Sequence, residues 1–262
     1  MSAPPPTPSA SWCRPVPVLI AARSADLDLV RPLARLLRSG GGEVRCYLDT
    51  DDHELRDLGC KIAVGALDDA YNLEAALTRV HTFIPLLPDP FDIHDTDDLA
   101  DLRAAGLAAA AAAAAADLAQ TILPIPVLPE AHPIQAAFAE VDKAFAAGLQ
   151  PLCRIRTGYL LGPDRPLTIV LRGITSAGVD VVRSVIVSVL DVDMWAATVA
   201  AADDREDLDG TWELGGDAEP LVDLLERVPS TTRIGSAPSQ WSLALLGEDL
   251  VVGASADEFL SG

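Results

Sequence analysis

The sequence predicts an α/β protein built on a doubly wound parallel sheet, with a small C-terminal α+β portion. Two observations carry this. From Val16 to Arg38, an apolar run of strand length passes through a short polar turn into a segment with helical apolar spacing. The same alternation of strand and helix then repeats at regular intervals to about residue 156, which is the signature of parallel strands joined by crossover helices.

In order, strand 1 covers Val16–Ala21 and helix 1 runs from Asp26 to Arg38, where Gly40-Gly41-Gly42 stops it. Strand 2 is Glu43–Leu48, followed by a short helix, Asp52–Leu58, and strand 3, Lys61–Val64. Helix 3 spans Ala70–Arg79 and strand 4 Thr82–Leu87. A loop rich in Asp and Pro, Pro88–Asp98, leads into a long helix ending near Gln120, whose alanine tract suits a helix packed close to the sheet. Strand 5, Thr121–Leu128, carries Pro124 and Pro126, which remove ladder donors along one edge and predict an irregular strand. His132–Gly148 is helical and Pro151–Arg156 is strand 6. Beyond Gly158 the pattern changes. Strands are expected at Leu167–Leu171, Val185–Leu190 and Thr211–Leu214. Helices are expected from Asp191, a capping residue, to Ala202 and over Pro220–Val228. Strands 1, 2, 4 and 5 are expected near the centre of a sheet of six or seven strands. Residues 1–14, rich in Pro, Ser and Ala, read as a disordered leader, 15–228 as the α/β domain, and 229–262 as an extension packed on it through its apolar runs.

The chain of 262 residues is half apolar, enough for a sizeable core, and its formal net charge of −20 excludes nucleic acid and anionic membranes as expected partners. It also disfavours an anionic cofactor unless local donors compensate. The four cysteines form no CxxC pair and read as reduced thiols of a cytoplasmic protein. The N-terminus lacks the charged and apolar regions of a signal peptide, and no run has the chemistry of a membrane span.

The histidines are scattered without metal-ligand spacing, so no metal is expected. There is no GxSxG elbow, no phosphate loop of the GxxxxGK[ST] type and no Cys-His signature. Asp191 and Asp193 are close carboxylates that capping explains.

Four stretches carry a family resemblance. They are Glu54–Asp69 through strand 3, Leu73–Val80 in the next helix, Thr157–Pro163 after strand 6, and Trp212–Gly216 in the late strand and turn. In order and spacing the chain resembles the atypical short-chain dehydrogenase/reductase families, specifically the NAD-dependent epimerase/dehydratase and NmrA-like groups. The resemblance covers about Val16 to Val228 and implies a Rossmann-like NAD(P)-binding fold.

At the functional positions the chain departs from that pattern. The glycine-rich phosphate turn falls on Ala22, Ala25 and Asp28, with Asp26 beside it. Glycine permits positive φ and close phosphate approach there, whereas Ser24, Asp26 and Asp28 are able to satisfy the helix N–H groups themselves, and the acids repel pyrophosphate. The adenine-side acid is replaced by Ala66. The cofactor-binding candidates are Arg23 and Ser24 in the turn and Asp49 at the end of strand 2, where an NAD-preferring protein keeps a ribose-binding acid. The Tyr-x-x-x-Lys pair implied for the helix after strand 5 falls on Ile134 and Phe138, and the preceding hydroxyl position on Ile125 or Pro126. Lys143 has Ala139, not tyrosine, four residues before it. No catalytic residue is assigned, and Tyr159 is the weak candidate for a replacement acid.

The coordinated loss predicts a catalytically degenerate short-chain dehydrogenase-like protein, a pseudoenzyme acting as a binding or regulatory subunit. No cofactor is expected, or NAD if any, and the expected partner is another copy or an active relative. The alternative is an NAD(P)-dependent oxidoreductase or epimerase, or a dinucleotide sensor, in which Arg23 holds the phosphates and Asp49 the ribose. A cleft filled by Arg23, Phe138 and their neighbours favours the first reading.

Overall fold

A computed structural model describes residues 17–128, 132–161, 165, 167, 186–203, 209–214 and 217–220. Its centre is a seven-stranded sheet in the order β3-β2-β1-β4-β5-β6-β9. The strands are β1 (Val18–Ala22), β2 (Val44–Leu48), β3 (Lys61–Val64), β4 (Thr82–Pro85), β5 (Gln120–Pro126), β6 (Leu152–Thr157) and β9 (Gly210–Leu214). Every pairing in this sheet is parallel. The expected architecture is therefore found, with strands 1, 2, 4 and 5 inside the sheet. A second sheet has the order β10-β8-β7, formed by β7 (Tyr159–Leu161), β8 (Ile186–Asp191) and β10 (Asp217–Pro220). Pro220 ends a strand and does not open the helix expected there. Of the expected strand Leu167–Leu171 only Leu167 is described, and it is helical; the remainder of the expected helix and the proposed leader and extension lie outside the described residues.

Alternate residues of the central strands feed two apolar layers, as the two-residue period of a strand requires. On one face Ile20, Cys46, Ile84 and Ile155 pack with α1 (Leu27–Ser39) and α6 (Val192–Asp203), whose Trp195 is fully buried. On the other, Leu19, Tyr47, Phe83 and Leu123 meet α3 (Ala70–Ala76), α4 (Thr96–Ala115) and α5 (Pro133–Ala146). The short α2 (His53–Asp57) begins at Asp52, whose carboxylate accepts from Leu55 N at 2.8 Å. Cys46, Cys60 and Cys153 are buried and unbridged. No helix among the described residues is long and apolar enough to cross a membrane.

Small residues let α4 and α5 approach closely. A Cβ on Gly106 would lie 2.5 Å from Val141 Cγ2, inside any van der Waals contact. We expect Gly106→Val to force the helices apart and lower stability by about 1–3 kcal/mol, read from the shift in a denaturant midpoint. Wild-type stability in that variant would rule out the tight seam.

The prolines of β5 act as the sequence predicts, and the hydrogen bonds show how. Thr121 N and Val127 N donate toward the β6 side, to Pro151 O and Thr157 O. Odd positions thus face β6, and Pro124 and Pro126 remove the donors that would face β4. Accordingly β5 pairs with β6 over six residues but with β4 only at Gln120 and Thr121. The sheet separates between the C-terminal halves of β4 and β5. In open α/β sheets, ligands enter a crevice at the carboxyl ends of the strands.

Candidate functional site

The turn after β1 contains a single 3₁₀ turn, Ser24–Asp26, leading directly into α1. Its side chains do not cap the helix as expected. Ser24 turns outward, donating from its backbone N at 2.6 Å and its hydroxyl at 3.3 Å to the Asp49 carboxylate. Asp26 makes no capping bond to the helix. It is buried and accepts from Arg23 Nε at 2.9 Å. Arg23 also donates through Nη2 to Asp92 at 2.8 Å. Of the three cofactor-binding candidates, Ser24 and Asp49 thus bond each other, and Arg23 is held by two carboxylates.

The residue that sequence reasoning missed is Arg165. It is 1% exposed and lies against the first turn of α1. Its Nη1 donates to Asp28 at 3.2 Å and stands 3.6 Å from Asp26, while Nη2 donates to Asp89 after β4. Burial works against the charge on Arg165, but Asp89, Asp28 and Asp26 outweigh it and hold the guanidinium above its ordinary pKa. Burial, opposed by Arg23, keeps the Asp26 carboxyl above its usual range. Asp92 is likewise raised, by burial and then by Asp89 nearby. Two arginines and four aspartates thus form one network across the turn where the fold ordinarily receives a pyrophosphate.

The positions on which the resemblance would place a tyrosine–lysine pair are apolar. Ile134 and Phe138 are buried on α5, whereas Lys143 is exposed. Tyr159 is buried with its ring edge-on to Phe91, centroids 4.9 Å apart and planes at 73°. Burial and then the charge of Asp89 push its phenol above the ordinary value, the reverse of what a proton-donating tyrosine at neutral pH requires. Phe138, Tyr159, Arg165 and Trp195 leave a cavity of about 50 Å³ between them. That is room for a few waters, far below the ~300–1,000 Å³ of small-molecule sites.

A second cavity, of about 300 Å³, lies beyond Arg23, between the loops after β2, β3 and β4 and the first half of α4. Asp49 and Ala66 line it. No group of three or more His, Cys, Asp or Glu suited to a metal occurs among the described residues.

No protein-family model matches the chain, and no curated protein matches it in sequence. Solved structures match its fold. The Bordetella bronchiseptica enzyme WbmG, in complex with NAD, aligns with a TM-score of 0.63 at 17% identity, covering 94% of this chain and 88% of that one. A nucleoside-diphosphate-sugar epimerase from Pseudomonas aeruginosa gives 0.67 at 16% identity, covering 94% and 91%. The UDP-N-acetylglucosamine 4-epimerase of Bacillus cereus gives 0.63 at 11% identity, covering 80% and 79%. The fold is thus a Rossmann-like one shared with these structures, and at these identities the likeness is one of fold.

Proposed function

We propose that the chain is a short-chain dehydrogenase-like protein that has given up catalysis and serves as a binding or regulatory subunit. The observation that carries this reading is the buried Arg165, bonded to Asp28 and Asp89 and close to Asp26 at the first turn of α1. A dinucleotide entering there meets carboxylates that already hold the available guanidinium groups. The helix N-terminus attracts anions only when its surroundings are not themselves anionic.

Other features point the same way. Asp49, the residue suited to a ribose, is bonded to Ser24. Phe138 helps fill the cleft, as the degenerate reading requires, although Arg165 more than Arg23 closes it. Lone departures occur in working enzymes; here the phosphate turn, the tyrosine–lysine pair and the hydroxyl position depart together. A fold kept without these groups still offers surfaces, and a second copy or an active relative is the partner we propose.

Calorimetric titration with NAD, NADH, NADP and NADPH tests the proposal. No saturable heat is expected from any of the four. Micromolar affinity for one of them would overturn it in favour of an oxidoreductase, an epimerase or a dinucleotide sensor.

A further inference from the structure

We propose that Cys46 and Cys60 are a redox pair: a hydroperoxide oxidises Cys60, and Cys46 then closes a reversible disulfide between β2 and the residue before β3. The inference goes beyond the binding role proposed above and does not rest on it.

The sheet brings the two thiols together. β2 and β3 run parallel, with Cys46 opposite Ile62. A strand repeats its faces every two residues, so Cys60, two before Ile62, lies on the same face as Cys46. Both side chains belong to the apolar layer that packs with α1. The Cys46 thiol donates a hydrogen bond to the Cys60 sulfur. Cys60 is held by its own N–H, which donates to Leu55 O at 3.0 Å, and by the turn at Gly59, where φ is +82°. β3 is the outermost strand, with a single neighbour. The approach from hydrogen-bonded sulfurs to a bond of about 2.05 Å is therefore borne by an edge and not by the core.

The two thiols are unequal. Cys46 is 0% exposed and Cys60 6%, so a peroxide reaches Cys60 first. The hydrogen bond from Cys46, opposed by burial and helped by the Arg38 charge, holds the Cys60 thiol below its ordinary value. Arg38 stays beside the turn because its Nε donates to Leu58 O at 3.2 Å and its Nη1 to Gly42 O at 2.6 Å. Cys46 is pushed the other way, by the same hydrogen bond and then by burial, and keeps its proton. A nucleophile outside and a proton donor inside is the arrangement of a sensor thiol beside a resolving one. Cys153, by contrast, is pushed up to about 11 by burial and then by Asp209.

The chemistry balances. The Cys60 thiolate attacks the terminal oxygen of the hydroperoxide. The S–O bond forms, the O–O bond breaks, and the departing alkoxide takes up the proton that Cys60 gave to solvent. Cys60 is then a sulfenic acid. The Cys46 sulfur attacks it, the S–S bond forms and the S–O bond breaks, and hydroxide leaves as water with the Cys46 proton. Two thiols are oxidised and one hydroperoxide is reduced to an alcohol and water.

Peptide mapping of the full chain tests this. The reduced protein is treated with hydrogen peroxide, its remaining thiols are alkylated, and it is digested with trypsin. Cleavage after Arg45, Arg56 and Lys61 puts Cys46 in residues 46–56 and Cys60 in residues 57–61. These two peptides should appear joined, should separate on reduction, and should form faster than Cys153 loses its thiol. In Cys46→Ala, Cys60 should stop at a sulfenic acid that dimedone labels. Arg38→Gln should slow bridging about threefold, through a smaller thiolate fraction. Oxidation of Cys60 no faster than that of Cys153, a bridge from Cys60 to any other cysteine, or dimedone labelling of Cys46 in Cys60→Ala would each overturn the inference. A bridging rate unchanged in Arg38→Gln would overturn it too.

Discussion

Arg165→Ala is expected to lower stability by about 3–5 kcal/mol at neutral pH, the usual cost of removing one partner from a buried ionic group. Arg165 is 1% exposed, and it leaves behind Asp89 and Asp26, both buried, and Asp28, part-buried. Arg23 continues to serve Asp26, but Asp89 and Asp28 lose the cation that holds them together. The loss should depend on pH in a known direction. Burial raises the folded-state pKa of Asp26 even in the intact protein, and removing a cation raises it further. Between the unfolded value, 3.8, and the raised folded value, the native state holds more protons than the unfolded state. Stability in that window therefore falls as pH rises and recovers as pH falls. Urea unfolding of the variant and wild type across mildly acidic pH should show the gap narrowing toward low pH. A gap that is small at neutral pH, or that widens on acidification, would show that the network is not what closes the turn.

Replacing both Asp26 and Asp28 by Ala should act on function in the opposite sense. Arg165 keeps Asp89 and Arg23 keeps Asp92, so the chain should still fold. Two negative charges leave the first turn of α1, and its N–H groups and the two guanidiniums then face an incoming phosphate with less competition. Removing two repulsions of about 1 kcal/mol each should raise NAD affinity by tenfold or more, turning a silent titration into a measurable one. Inorganic pyrophosphate, which lacks the ring, should gain in parallel. A titration as silent as that of the wild type would locate the obstacle in Ala22 and Ala25, where glycine is missing, and not in the carboxylates.

The scaffold was legible because its signals are local. The run Val18–Ala22 and the spacing of Leu29, Leu33 and Leu37 report burial directly, and so do their counterparts through β6. Pro124 and Pro126 predicted an irregular β5, and the hydrogen bonds of Thr121 and Val127 show which neighbour it loses. The plug was not legible. Arg165 follows Gly162-Pro163-Asp164, a stretch without periodicity, and it meets Asp28 across 137 positions of sequence. One signal did exist. Two aspartates in a turn destined for burial require a cation from somewhere, and Arg23 alone does not serve both. Expecting those acids to cap α1 hid that requirement, since capping needs no partner from a distance.

The sparse pairing between β4 and β5 has a mechanical consequence. Only two residue pairs connect them, against four between β1 and β4 and six between β5 and β6. The sheet behaves as two stiff plates welded along a short seam. A force that spreads the plates breaks the fewest backbone bonds there, so this seam is the line of greatest compliance. It runs toward the crevice in which Phe138 and Tyr159 sit. Amide exchange should therefore be fastest along the upper half of this seam and slow within each plate. Thermal motion that opens the crevice would flex the joint and leave the two cores at rest.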